Sequence, residues 1–104
     1  MIQFAVRKGR DGNSDFLEFL YSHREEDAPR LESVFQLYLP GFRGTRTWMP
    51  PDDLHWECTC DRGTFIIWDE WGELYLVPKS QHEKVLKAAI DALVTSGLFE
   101  LIPG

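Results

Sequence analysis

Three features predict an α+β fold, a single two-layer domain over residues 1–104 in which an antiparallel sheet packs against two helices. Between 55 and 78, three short runs rich in β-branched and aromatic residues, HWECTC, TFIIW and ELYLV, follow one another with turn residues between them, as in a meander. Two longer segments, near 28–39 and 81–96, repeat apolar residues at helical spacing. A chain of 104 residues suits one core, since a domain of this size buries roughly 60–70% of the surface that its unfolded chain exposes.

The elements can be justified in chain order. IQFAVR, at 2–7, alternates as a strand, and the GRDGN that follows supplies turn residues. In SDFLEFLYSH the residues Phe16, Leu17, Phe19, Leu20 and Tyr21 would crowd every face of a helix, so this run reads as the hairpin partner of the first strand. Asp27 before Ala28 and Pro29 reads as a helix start, with a capping carboxylate and a proline where no donor is lost. Leu31, Val34, Phe35 and Tyr38 form its apolar stripe, and Pro40-Gly41 stops it. Residues 40–54, PGFRGTRTWMPPDDL, hold three prolines and two glycines and read as a long loop. In SQHEKVLKAAIDALVTSG, Ser80 is the expected cap and Glu83 completes a capping box. Leu86, Ala89, Ile90 and Leu93 share one face, with Leu86, Ile90 and Leu93 as core anchors. Gly97 ends this helix, and LFELI is a last strand.

Composition narrows the function classes. Apolar residues make up 43% and charged residues 27%, as in a globular protein rather than a disordered one. No apolar run is long enough to cross a membrane, and MIQFAVRKGR lacks the pattern of a signal peptide, so a cytoplasmic protein is expected. The only cysteines, Cys58 and Cys60, have a C-x-C spacing that suits reduced thiols better than a disulfide within one strand.

The net charge of −6 speaks against nucleic acid or anionic lipid as a partner. Residues 1–50 are balanced, with seven basic and seven acidic side chains. Residues 52–73 carry Asp52, Asp53, Glu57, Asp61, Asp69, Glu70 and Glu73 against Arg62 alone, and Trp48, Trp56, Trp68 and Trp71 fall in or just before that segment. Acid and indole coincide.

Two-residue turns at Arg62-Gly63 and Trp71-Gly72 would fix the register of the meander. One face then carries Trp56, Cys58, Cys60, Phe65, Ile67, Leu74 and Leu76, an apolar set for the helices to cover. The other carries Glu57, Thr59, Ile66, Trp68, Glu70, Glu73, Tyr75 and Val77, with Glu57, Trp68 and Tyr75 side by side. These aromatics either pack beneath the N-terminal hairpin or the long loop, or form a binding surface ringed by carboxylates.

No catalytic, cofactor or metal motif emerges. In the H-x-x-C-x-C of His55, Cys58 and Cys60, strand alternation turns the histidine away from the thiols. The carboxylate pairs Asp69/Glu70 and Glu57/Glu73 lack a convergent cleft. His23 and His82 have no nucleophile placed beside them, and Arg43 and Arg46 have acidic neighbours to pair with in place of a bound anion. The expectation is therefore a non-enzymatic protein-binding domain without cofactor or metal. Glu57, Trp68, Glu70, Trp71, Glu73 and Tyr75 would face a basic protein, as in an inhibitor or immunity-type protein that presents carboxylates where phosphates would sit. Two other readings stand beside it: a small ligand-binding domain or enzyme with a pocket between the 40–54 loop and the sheet, and a homodimer built on the aromatic face.

Overall fold

The computed structural model describes residues 2–9, 15–20, 24–49, 53–70 and 73–103. Its elements are β1 (Ile2–Arg7), β2 (Phe16–Phe19), α1 (Arg24–Tyr38), β3 (Arg43–Met49), β4 (Asp53–Cys60), β5 (Gly63–Glu70), β6 (Glu73–Pro78), α2 (His82–Thr95) and β7 (Phe99–Leu101). The strands form one seven-stranded sheet in the order β3-β4-β5-β6-β2-β1-β7. Every pairing is antiparallel except that of β7 with β1. The predicted α+β architecture is present, with a wider sheet than the central meander required.

Both helices pack on one face of that sheet, and the reason lies in strand alternation. Trp56, Cys58, Phe65, Ile67, Leu74 and Leu76 are buried, Cys60 packs against them, and Phe4, Leu17 and Phe19 extend the same surface through the hairpin of β1 and β2. This is the apolar face read from the sequence. From above, α1 contributes Leu31, Val34 and Phe35, and Leu39 follows just beyond its end. Helix α2 contributes Val85, Ala89, Ala92 and Leu93. Phe35, Phe42, Phe65 and Trp56 meet in one aromatic cluster, with ring centroids 5.4–6.2 Å apart.

Several local expectations are corrected. Within the 40–54 segment, Arg43–Met49 is not loop but edge strand β3, in register with β4 from Arg43↔Thr59 to Met49↔Asp53. Gly44 reads as a turn signal, yet it sits opposite Cys58 because a side chain there would collide with the Trp56 indole. The first helix begins at Arg24, not at Asp27, and holds Pro29 inside its second turn. A proline this near the N-terminus removes one backbone bond only. Tyr38 is exposed, and Leu39 takes the buried place at the helix end.

The β4–β5 turn also differs. Cys60 pairs with Gly63, so the loop is Asp61-Arg62 and not Arg62-Gly63. Neither loop residue takes a positive φ; Gly63 does, at 149°, as the first residue of β5. Gly63 also lies against the Ser80 carbonyl and Val85, where a Cβ would meet atoms at 2.8–2.9 Å. Ser80 is consequently not the cap of α2. Its Oγ accepts the Thr64 N–H at 2.9 Å, and Gln81 stands at the cap position with φ 48° and no side-chain cap bond. The α2 stripe is rotated as well: Val85 is fully buried, while Leu86 and Ile90 are only partly covered. Ala89 and Ala92 let the helix approach the sheet closely on that line. The expected turns at 10–13 and 71–72 lie outside the described residues.

Two stability measurements check this packing. In urea unfolding, Leu93→Ala is expected to cost about 2–5 kcal/mol, the range for a buried leucine, and Leu86→Ala and Ile90→Ala clearly less. Gly44→Ala is expected to cost about 1–3 kcal/mol, because the buried Trp56 ring has no free space into which to shift; an unchanged midpoint would contradict this.

Candidate functional site

The site is assembled on the sheet face that neither helix covers. Strand alternation puts every second residue there, and the cross-strand register lines these residues up in rows. One row runs Ala5, Glu18, Tyr75, Trp68, His55 and Thr47 across β1, β2, β6, β5, β4 and β3. The neighbouring row includes Arg7 opposite Phe16, Ile66 opposite Val77, and Glu57 opposite Ile66 and Thr45. A third row carries Arg43, Thr59 and Thr64.

Three aromatic rings form a continuous ridge. Phe16 meets Tyr75 edge-on at 5.7 Å between centroids, and Tyr75 meets Trp68 in the same way at 6.3 Å. The edge-to-face geometry lets the positive rim of one ring meet the negative face of the next. All three remain partly accessible. The hairpin of β1 and β2 thus lies beside Tyr75 within the sheet and does not roof it over.

Charged groups flank the ridge. Arg7 donates from Nε at 3.3 Å and from Nη2 at 3.2 Å to Glu18 Oε1, so this carboxylate is neutralised locally. His55 Nε2 lies 3.4 Å from Glu57 Oε1, with 74% of the Glu57 side chain open to solvent. A side-chain contact this exposed contributes little to stability.

Of the residues singled out in the sequence, Trp68 and Tyr75 are direct cross-strand neighbours, as counted. Glu57 is not beside Trp68; it faces Ile66, and His55 takes the place opposite Trp68. The turn at Asp61-Arg62 slid the register by two residues, which preserves the face of every side chain and changes only its neighbours. Glu70 and Glu73 pair with each other at the end of the β5–β6 hairpin, and Trp71 lies outside the described residues. His55 shares the Trp68 face, whereas Cys58 is buried on the other, where its Sγ donates to the Trp56 carbonyl at 3.7 Å. Neither cysteine is in a disulfide. Among the described residues, no three of His, Cys, Asp and Glu are grouped as metal donors.

Beside the ridge, where the expected pocket loop proves to be strand β3, the same face is hollowed. A depression of about 410 Å³ is lined by Arg43 and Thr45 of β3, Glu57 and Thr59 of β4, Thr64 and Ile66 of β5, and Lys79. Lys79 is brought there by the β5 backbone: the Lys79 N–H donates to the Thr64 carbonyl at 2.8 Å, the Ser80 N–H joins it at 3.2 Å, and Thr64 Oγ1 lies 3.0 Å from Ser80 Oγ. Sequence reasoning missed Phe16, Thr45 and Lys79 as members of this face. The alternation of Arg43, Thr45 and Thr47 was the available signal.

No helix of the structure, among the described residues, is long and apolar enough to cross a membrane. Comparison with known proteins found no matching family model, no matching curated protein and no matching solved structure.

The two described indoles should respond oppositely to truncation. Trp56 is fully buried and Trp68 is not. Trp56→Ala should cost about 3–5 kcal/mol, and Trp68→Ala only about 0.5–1.5 kcal/mol, the worth of an aromatic pair, both read by chemical denaturation. A loss of several kcal/mol at Trp68 would make it a core residue.

Proposed function

We propose that the chain is a non-enzymatic protein-binding domain of the inhibitor or immunity type, and that the helix-free sheet face receives a basic protein. The observation that carries this reading is the Phe16–Tyr75–Trp68 ridge, three partly open aromatic rings on a face no helix covers. Aromatic anchors of this kind gain apolar burial only when a partner closes over them. Charge supports a basic partner. The chain carries a net −6, the exposed Glu57 borders the ridge, and the Glu70–Glu73 pair lies at its hairpin end. Such carboxylates raise the rate of encounter with a cationic surface more than they add to final affinity. Glu57, Trp68, Glu70, Trp71, Glu73 and Tyr75 form the interface in this reading. Two cysteines outside any disulfide are in keeping with a cytoplasmic setting.

The test uses a partner captured by cross-linking, identified, and then purified for kinetic measurements. Trp68→Ala is expected to weaken its binding by about 2 kcal/mol or more, and Glu70→Gln with Glu73→Gln to slow association, with the difference vanishing at high salt. A partner that is acidic, or whose binding is indifferent to Trp68→Ala and to salt, would overturn the proposal. So would light scattering that shows a dimer which Trp68→Ala dissolves, since the ridge would then be occupied by a second copy.

A further inference from the structure

The hollow beside the ridge has the opposite electrostatic character from the chain as a whole. Its lining includes two cations, Arg43 and Lys79, and one carboxylate, Glu57, in a protein of net charge −6. Among the described residues, neither Arg43 nor Lys79 has an ion pair or a side-chain hydrogen bond, whereas Glu57 is already engaged with His55. The acidic neighbours that the sequence offers to Arg43 therefore do not take it up. Both cations sit on hydrogen-bonded backbone. Arg43 is held in the β3–β4 ladder opposite Thr59, and Lys79 is held by the Thr64 carbonyl. Thr45, Thr59 and Thr64 add hydroxyls on the same surface, and Ile66 supplies an apolar floor.

We propose that this hollow is a binding site for a small organic carboxylate, a monoanion on a compact apolar body. The guanidinium of Arg43 presents paired donors that match the two oxygens of a carboxylate, and Lys79 adds a mobile point charge. The threonine hydroxyls satisfy whatever lone pairs remain. Ile66 receives the hydrocarbon part. The exposed Glu57 at the rim sets the charge of the ligand, because it repels a phosphate dianion about twice as strongly as a carboxylate at the same distance. The volume of about 410 Å³ lies within the range of small-molecule sites. The site shares only Glu57 with the proposed protein interface, since its other residues lie toward the β3–β4 end of the face and beside Thr64, away from the ridge.

The experiment is a titration of the whole chain, labelled with nitrogen-15, with benzoate at constant ionic strength and with inorganic phosphate in parallel. Benzoate is expected to give saturable amide shifts clustered at residues 43–45, 57–59, 64–66 and 79. Arg43→Gln with Lys79→Gln should weaken binding roughly tenfold or more, as expected for removing two charge-assisted contacts. Glu57→Gln should tighten phosphate binding more than benzoate binding. All these side chains are exposed, so an unchanged amide spectrum in the absence of ligand verifies that the variants fold. Shifts that do not saturate, shifts spread over the whole surface, or equal affinity in the doubly substituted protein would overturn the site. Phosphate binding as tightly as benzoate to the unsubstituted protein would overturn the assignment to carboxylates.

Discussion

The contact between the Trp56 indole and the bare backbone of Gly44 organises more of this molecule than any other. Among the described residues Trp56 is the largest fully buried side chain, and it lies over the adjacent strand at the one position that has no Cβ. Burying an indole stabilises the fold by more than most single residues can, so the chain that flanks it is drawn into place. Arg43–Met49 becomes a strand, Phe42 stacks edge-on against Trp56 at 5.8 Å, and the end of α1 is tied to the sheet through Phe35. Without that contact β3 would have little reason to pair, because its own side chains are mostly polar.

Once β3 joins the ladder, the two faces of the sheet take on separate duties. The inner face carries the apolar core and is closed by the helices. The outer face then extends from β1 to β3 and divides into two chemically distinct regions. One is the aromatic ridge, bordered by carboxylates and by an arginine already committed to Glu18. The other is the threonine-lined hollow with two cations that have no ion-pair partner among the described residues. The second region exists only because backbone bonds from Thr64 hold residues 79 and 80 against the start of β5, an arrangement that Gly63 permits by offering no side chain to Val85 and Ser80. The same use of Ser80 removes it from the N-terminus of α2. A local signal was overruled by a partner sixteen residues away.

Much of the fold was legible because it rests on periodicity. The strands β1, β4, β5, β6 and β7 and the body of α2 follow from alternation, helical spacing and Gly or Pro punctuation. The membership of each face also survived, even though the β4–β5 turn was misplaced: an error of two residues in register leaves alternation intact. Its cost fell on the neighbours, so that Trp68 faces His55 where Glu57 was expected. The stripe of α2 was open to a similar ambiguity, since Ala89 and Leu93 belong both to a stripe through 85 and 92 and to one through 86 and 90. The small side chains of Ala89 and Ala92 resolve it only when a sheet is present to be approached.

Local order along the chain was thus enough to specify an antiparallel sheet with one apolar face, two covering helices, and an outer face on which tryptophan, tyrosine and carboxylates alternate. Those properties arise from residues two to four positions apart, whose relation the covalent chain already sets. The strand status of 43–49, which rests on the Gly44–Trp56 contact, the pairing of Trp68 with His55 and the convergence of Arg43 with Lys79 arise from residues twelve or more positions apart. Such juxtapositions come from the packing of bulky groups such as Trp56 against gaps such as Gly44, and no local pattern encodes them.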